Sequence, residues 1–284
     1  MGRIYINAIR VINNIKTFGW RNTCAKLKKY LHLGSNYVDY NKWMHSHRLT
    51  DSERQEQCGR HFEYHPKFSI LVPLYESNCD FLRALIESVQ AQTYGNWELC
   101  FSDGGRKEKC LYDFLQVYMQ KDQRIHYIAS QDGTLGIAEN TNQAYTLDHD
   151  DLFEPDALYA CVESLNAKRV QVIYTDEDKV DETGDYFFAP NFKPDFNIDL
   201  LRCNNYICHM FVAEKNLVDQ VGLLNPAFDG AQDYDFIFRC TEQADGICHI
   251  PKILYHWRAH AASTAEDPAA KRYAFEAGKR AIEA

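Results

Sequence analysis

The sequence predicts an α/β protein with a mostly parallel central sheet flanked by helices. An apolar, β-rich run at 68–74 precedes helical spacing at 81–91, and the alternation continues with a strand at 97–101, a helix at 108–120 and a strand at 124–129. Strand–helix–strand order at this spacing indicates parallel pairing through right-handed crossovers. Ligands of such sheets bind at the carboxyl ends of the strands, so we expect the site among the polar residues that follow them.

The later segments extend the same pattern. Asp80 is the expected N-cap of the helix at 81–91. An amphipathic helix opens in the segment 230–235. The remaining predicted elements are helices at 136–145 and 156–167 and strands at 170–175 and 253–258.

Length and composition are those of a globular protein with one large domain. The chain has 284 residues, of which 45% are hydrophobic and 25% are charged. We expect no membrane-spanning segment and no signal peptide, because no apolar run has the required length. The ten cysteines are scattered without a C-x-x-C pair, which favours reduced thiols and a cytoplasmic location over a zinc site or a disulfide scaffold.

The charge is unevenly distributed along the chain. Residues 1–38 hold seven Lys or Arg and no Asp or Glu, and subtracting these seven charges from the net charge of −9 leaves −16 for the rest. This acidic body argues against nucleic acid as the main partner. Apolar residues recur at helical spacing within 3–31, and two interpretations remain open: peripheral contact with the inner face of a membrane, or an arm packed on the main domain.

Three regions follow from these patterns. We predict a basic helical extension and linker at 1–66, with a polar linker at about 46–66, then a main domain at 67–265 and a C-terminal helix at 266–284.

Two strand ends carry candidate ligand-binding residues. Pro73, Tyr75 and Glu76 follow the first strand, and Asp103 with two glycines follows the second. The glycines let the backbone approach a ligand, and the carboxylate can accept a hydrogen bond from a ribose or a base. A simple Asp-Gly turn is the alternative.

An acidic segment, LDHDD, contains Asp148 and Asp150. Residues i and i+2 of an extended segment point the same way, so the two carboxylates can converge on one Mg²⁺ or Mn²⁺ ion that keeps positions for phosphate oxygens. A solvated turn is the alternative. His256, in the last predicted strand, could complete a mixed metal site or could be structural.

Asp233 lies in the first turn of the helix that opens in GAQDYD. A carboxylate there is favoured by the helix dipole, so Asp233 is either a cap or a general base held at the rim of a pocket.

Taken together, these segments resemble the family-two glycosyltransferases of GT-A fold, most closely the bacterial branch that builds O-antigen and other surface polysaccharides. The resemblance covers 68–264, about two-thirds of the chain, in family order. It implies a Rossmann-like sheet. The matching strings are FSILVPLYES, QAQTYGNWELCFSDGG, LGIAENTNQA, LDHDDLFEPDAL, YTDEDKV, FKPDFNIDLL, GAQDYDFIFR and ILYHWRAHAAST.

The resemblance implies transfer of a sugar from a nucleoside-diphosphate sugar to a saccharide hydroxyl, with inversion and with a divalent metal ion. Asp233 would be the base, and Asp150 the direct metal ligand, joined by Asp148 and His256. A lipid-linked acceptor would suit the basic leader. The residues implied for the nucleotide pocket are Pro73, Tyr75, Glu76, Asp103 and Asp148, and those toward the acceptor are Asp176, Glu177, Asp178, Asn205 and Tyr206.

The chain departs from the family pattern just before the acidic segment. Between Ala144 and Leu147 it is shorter by on the order of 5–10 residues, which elsewhere complete a helix and supply a strand. Either the helix is shortened, or the nucleotide site is distorted, or a segment is absent from this sequence. The last predicted helix, from Asp267 to Ala284, has no stop signal, so we expect the natural chain to continue.

Two other functions are alternatives to a glycosyltransferase. A binding or scaffold domain of the same fold, impaired by the shortened segment, would bind nucleotide weakly or not at all. A sugar-phosphate nucleotidyltransferase would need a Gly-rich basic loop after the first strand, but residues 73–80 contain no glycine, lysine or arginine.

Overall fold

The computed structural model of the chain describes residues 38–74, 77–104, 109–129, 150–260 and 272–284. The chain divides into two compact units, Met1–Ser46 and His47–Ala284. In the first unit the described residues contain helix α1, Tyr40–Ser46. The predicted helices at 3–31 and 136–145 lie outside the described residues.

Helix α2, Asp51–Gly59, lies within the stretch predicted as a polar linker at about 46–66, and the predicted boundaries of the three regions stay predictions. Thr50 and Glu53 form a capping box: the Thr50 N–H donates to Glu53 Oε2 over 2.8 Å, and the Glu53 N–H donates to Thr50 Oγ1 over 3.3 Å. This arrangement satisfies backbone donors that a helix start otherwise leaves open. A Thr-x-x-Glu spacing was the signal for it in the sequence.

Three parallel strands form the first sheet of the second unit, in the order β1–β2–β3. The strands are β1 (Phe68–Leu74), β2 (Trp97–Asp103) and β3 (Ile125–Ala129), joined by crossover helices α3 (Cys79–Gln90) and α4 (Lys109–Lys121). The predicted strand–helix alternation and parallel pairing are confirmed here.

Helix α3 begins two residues earlier than we expected. Asn78 has extended backbone and its side-chain oxygen accepts a hydrogen bond from the Asp80 N–H over 2.8 Å, which makes Asn78 the N-cap. The prediction of Asp80 as N-cap was wrong because Asp80 already lies inside the first turn, where its charge suits the helix dipole.

The first sheet packs its core against α3. The inward residues of α3, Leu82, Leu85, Ile86 and Val89, have no exposed surface. They meet alternate residues of β1 in one apolar cluster. Each such side chain contributes roughly 1.5–3 kcal/mol on burial, so this face fixes the position of β1. The buried residues of β1 are Phe68, Ile70, Val72 and Leu74.

A second, mixed sheet has the order β4–β8–β5–β6, with β7 also paired to β5. β8 runs parallel to β5, whereas the pairs β4–β8, β5–β6 and β5–β7 are antiparallel. Both long strands exceed their predicted lengths. The strands are β4 (Leu152–Phe153), β5 (Val172–Val180), β6 (Phe187–Asn191), β7 (Phe211–Ala213) and β8 (Ile247–Arg258).

Helices complete the second unit. In the part of the chain that the structure describes, every helix is too short or too polar to span a lipid bilayer. The remaining helices are α5 (Ala157–Ala167), α6 (Ile198–Cys203), α7 (Lys215–Val221), a 3₁₀ turn (Pro226–Phe228), α8 (Gln232–Gln243) and α9 (Arg272–Glu283).

Candidate active site

The carboxyl ends of the first sheet meet at one level. Leu74 and Ala129 both stand opposite Asp103 in the strand register. The Tyr127 hydroxyl donates to Asp103 Oδ2 over 2.7 Å. Burial, together with this bond to the carboxylate, raises the pKa of Tyr127. Asp103 and Pro73 thus reach the expected edge of the sheet. The predicted residues Tyr75 and Glu76 lie outside the described residues.

The acidic segment ends in two carboxylates with different surroundings. Asp151 has no exposed surface, and it accepts hydrogen bonds from the Tyr255 hydroxyl and from the Arg258 N–H, the latter over 2.8 Å. Asp150 instead meets the ring of His260, with 2.6 Å between Nε2 and Oδ2. Asp151 therefore anchors the segment to β8, and Asp150 is the carboxylate with a histidine beside it. Asp148 lies outside the described residues.

His256 is enclosed by two other carboxylates. Its Nδ1 lies 2.5 Å from Asp178 Oδ1 and its Nε2 lies 2.9 Å from Glu154 Oε1. Burial opposes the charged ring, but the hydrogen bonds and charges of Asp178 and Glu154 outweigh burial and raise the pKa of His256 to about 9. The ring is therefore an imidazolium at neutral pH, with both N–H groups donating. Glu154 is further paired with Arg48 at 3.3 Å.

A cleft of about 1730 Å³ lies in the second unit. It is bordered by β1, by β7, by the loop between α6 and β7, and by the amino end of α8. Its walls include Pro73, Lys179, Asn205, Asp233 and Trp257. A concave site of this size that carries a few polar groups suits a small-molecule ligand.

Asp233 projects from the first turn of α8 beside this cleft. The Asn205 side-chain amide donates from Nδ2 to Asp233 Oδ2 over 2.8 Å, and Asn205 Oδ1 accepts from the Cys208 N–H over 3.2 Å. The helix amino end and the amide both direct positive partial charge toward this carboxylate. The arrangement offers an oriented carboxylate that can take a proton from a ligand hydroxyl.

The other predicted acceptor-side residues are buried in internal contacts. Asp176 lies 2.8 Å from His249 Nε2, and Glu177 accepts from Lys193 Nζ over 3.3 Å. Tyr206 is buried, with its hydroxyl accepting from a backbone N–H. Asn205 is the member of the predicted set that borders the cleft. The four buried members are Asp176, Glu177, Asp178 and Tyr206.

Neighbouring side chains of β8 point to opposite faces of the second sheet, as strand alternation requires. Tyr255 and Trp257 border the large cleft. His256 and Arg258 instead border a second cavity of about 390 Å³ together with Arg48 and other residues. The structure therefore brings Asn205 to Asp233 but does not bring His256 to either Asp150 or Asp233.

The described residues offer a partial set of metal ligands. No group of three or more His, Cys, Asp or Glu side chains converges as a metal site within the described ranges, which omit Asp148. The Asp150 carboxylate and the His260 imidazole form a pair of oxygen and nitrogen donors that suits a divalent ion. The predicted role of His256 as a ligand stays a prediction, and its two ring nitrogens already donate to Asp178 and Glu154.

Several residues of this region escaped sequence reasoning. His260 follows His256 by four positions, and a second histidine beyond the last predicted strand was the available signal. Asp151 belongs to the acidic segment itself, but only the fold shows that it is internal. Lys193 gave no signal, because a buried lysine looks like any surface lysine in sequence.

Comparisons with known proteins identify the family of this chain. Residues 69–222 match the family described as "Glycosyl transferase family 2". The "Uncharacterized protein y4gI" of Sinorhizobium fredii is 42% identical over 247 residues, which are 83% of this chain and 26% of that protein. The "O-antigen biosynthesis protein RfbC" of Myxococcus xanthus is 31% identical over 254 residues, 86% of this chain and 20% of that protein. The chain thus spans about a fifth to a quarter of the length of these two relatives.

A solved structure shares the fold. The crystal structure of Staphylococcus aureus TarS residues 1–349 in complex with UDP superposes with a TM-score of 0.57 at 17% identity, covering 76% of this chain and 64% of that one. This likeness, with the family match, confirms the predicted GT-A fold class.

Proposed function

Because the chain belongs to glycosyl transferase family 2, we propose that it transfers a sugar from a nucleoside-diphosphate sugar to a hydroxyl of a saccharide. We further propose that the transfer inverts the anomeric configuration and depends on a divalent metal ion.

One observation carries the catalytic part of the proposal. Asp233 stands at the amino end of α8, beside the large cleft, with one carboxylate oxygen held by Asn205 at 2.8 Å. The second oxygen is the one that would face an acceptor hydroxyl. A base positioned in this way typically contributes a factor of about 10²–10⁴ to the rate.

The chemistry is a single in-line displacement. Asp233 takes the proton of the acceptor hydroxyl while that oxygen forms a bond to the anomeric carbon. The bond from the anomeric carbon to the diphosphate breaks, and the nucleoside diphosphate leaves with the electron pair. One displacement inverts the configuration and needs no covalent sugar–enzyme intermediate.

The metal proposal rests on the acidic segment. Asp150 would hold the ion together with Asp148 and a histidine, and His260 is the histidine beside Asp150. A bound Mn²⁺ or Mg²⁺ would offset the charge of the departing diphosphate. Asp151 would act indirectly by fixing the segment to Tyr255 and Arg258.

The relatives favour a donor and a pathway. TarS has been crystallised with UDP and with UDP-GlcNAc, which makes a UDP-sugar the first donor to test. RfbC is named for O-antigen biosynthesis, which favours a growing surface polysaccharide as the acceptor.

Calorimetric titration tests the donor and metal proposals. UDP, dTDP and GDP are titrated into the chain with Mn²⁺ and again with chelator. We expect one nucleotide to bind with metal and to lose most of its affinity with chelator or in Asp150→Asn. Asp199→Asn serves as the control because Asp199 is an exposed first-turn carboxylate of α6, away from the cleft.

A scaffold domain is the second candidate, favoured by one observation. Among the described strands, β1 pairs with β2 alone, and the sequence is short just before the acidic segment, where the family carries a further strand. A scaffold that lost this strand would bind none of the three nucleotides under any condition. That result would overturn the transferase proposal.

A further inference from the structure

Lys193 is buried in the second unit beneath the loop that leads from α6 to β7. Its side chain has no exposed surface. The ammonium donates to the carbonyl of Ile207 over 2.7 Å, to the carbonyl of His209, and to Glu177 Oε2 over 3.3 Å. Burial lowers the pKa of Lys193, and the charge of Glu177 opposes that effect. Two of its three donors therefore hold one short loop.

Glu177 holds the same loop from the same side. Its Oε2 accepts from the His209 N–H over 3.1 Å as well as from Lys193. The ring of His209 stacks on Tyr255 at 5.0 Å between centroids, on the side where Tyr255 and His209 border the cleft. The Lys193–Glu177 ion pair and the stacking of His209 on Tyr255 therefore both hold the loop.

The loop carries the residue that orients the proposed base. Asn205 begins it, and its Oδ1 accepts from the Cys208 N–H over 3.2 Å while its Nδ2 donates to Asp233 over 2.8 Å. Asn205, Cys208 and His209 all border the cleft. A displacement of the loop would therefore move the amide that holds the Asp233 carboxylate.

We propose that Lys193 and Glu177 form a buried anchor that positions Asp233 for catalysis through the Asn205–His209 loop. Both are positioning residues, because neither borders the cleft. The inference rests on the proposed role of Asp233, and it adds a contact chain of three steps: Lys193 to the loop carbonyls, the loop to Asn205, and Asn205 to Asp233. Buried polar networks of this kind rigidify a site when every member is satisfied.

A merely structural ion pair is the alternative, and a paired variant separates the two. Lys193→Met combined with Glu177→Gln removes the anchor without leaving an unpaired buried charge. Glu177→Gln alone is the second variant: its amide oxygen can still accept from both donors, but the buried Lys193 ammonium loses its counter-charge. Lys252→Met is the control, because Lys252 is a largely exposed lysine of β8 outside the cleft.

Hydrogen exchange tests the anchor without any need for turnover. We expect the amides at 205–210 to exchange at least about tenfold faster in the double variant, a smaller rise in Glu177→Gln, and no change at 97–103 in β2. Unchanged exchange at 205–210 in either variant would overturn the anchor. If the double variant fails to fold, Glu177→Gln decides.

Kinetic coupling tests the positioning role. We expect the double variant and Asn205→Ala each to lower kcat about tenfold or more, with the donor KM within about threefold of the wild-type value. Combining them should lower kcat little further than either alone, because all three changes act on one contact chain. Multiplicative losses, or an equal rise in KM and fall in kcat, would overturn the positioning role. Absence of transfer by the wild-type chain would overturn the proposed function, and hydrogen exchange would still decide whether the anchor exists.

Discussion

Nδ1 of His256 lies 2.5 Å from Oδ1 of Asp178, on the face of β8 opposite to the cleft that Asp233 borders. The two residues and Glu154 form a buried charged triad. Because both ring nitrogens donate to carboxylates, the triad stabilises the imidazolium. The contacts of His256 therefore assign it a part in holding the second sheet together.

The stability of the chain should fall as pH rises above neutrality. The pKa of His256 is raised to about 9 in the folded chain from its ordinary value of 6.5, so the folded state holds the proton more tightly. The stabilisation is fully present below pH 6.5, declines between 6.5 and about 9, and is absent above. We expect the free energy of unfolding to fall by on the order of 2–3 kcal/mol between pH 6 and pH 9. Urea unfolding at pH 6, 7.5 and 9 with chelator present measures this change.

His256→Gln is the matched variant for this measurement. It keeps one side-chain donor but cannot titrate, so we expect lower stability at pH 6 and a flat profile between pH 6.5 and 9. A variant that retains the slope of the wild type would show that another group causes it.

Thiol labelling should divide the cysteines by burial. Cys161 and Cys240 have no exposed surface, and burial raises the pKa of both thiols, that of Cys240 to about 12. Cys58 and Cys203 are exposed. We expect iodoacetamide at pH 8 to modify the exposed pair and to spare the buried pair in the native chain, because the thiolate is the reactive form. Mass spectrometry of the digested protein reads this out, and rapid labelling of Cys161 would contradict the packing of α5.

Restoring the short segment should stabilise the first sheet. We would insert a Val- and Thr-rich segment of on the order of 5–10 residues between Ala144 and Tyr145, and compare an insertion of equal length built from Gly and Ser. Among the described strands β1 pairs with β2 alone, so an inserted strand that pairs with its other edge and adds about 1 kcal/mol would raise Tm by about 2–4 °C. Equal Tm for the two insertions would show that the segment does not pair with β1.

The sequence predicted the parallel half of the fold well. The apolar, β-rich run at 68–74 and the helical spacing at 81–91 both reflect burial, and the structure places both elements within two residues of the expected bounds. β5 and β8 were predicted too short, because Asp176 and His249, polar residues outside the predicted bounds, pair with each other inside the sheet. Periodicity cannot distinguish a buried ion pair from a solvated end.

Individual residues of the site could be predicted from the sequence, but not all of the contacts between them. Asp233 and Asn205 could be named from motif order, and the structure brings them together. Asp150 meets His260, which lies two residues beyond the end of β8, whereas His256 inside the strand is enclosed by Asp178 and Glu154. Which carboxylate each histidine meets follows from the strand register, which a single sequence does not specify.

The rate of sugar transfer by Asp233→Asn tests the proposed mechanism most directly. The donor identified by calorimetry is supplied in radiolabelled form with saccharide acceptors, and Asp199→Asn is assayed beside it. We expect Asp233→Asn to fold, to bind the nucleotide with unchanged affinity, and to lose a factor of about 10²–10⁴ in kcat, while Asp199→Asn retains the wild-type rate. Full turnover by Asp233→Asn would contradict its role as the base.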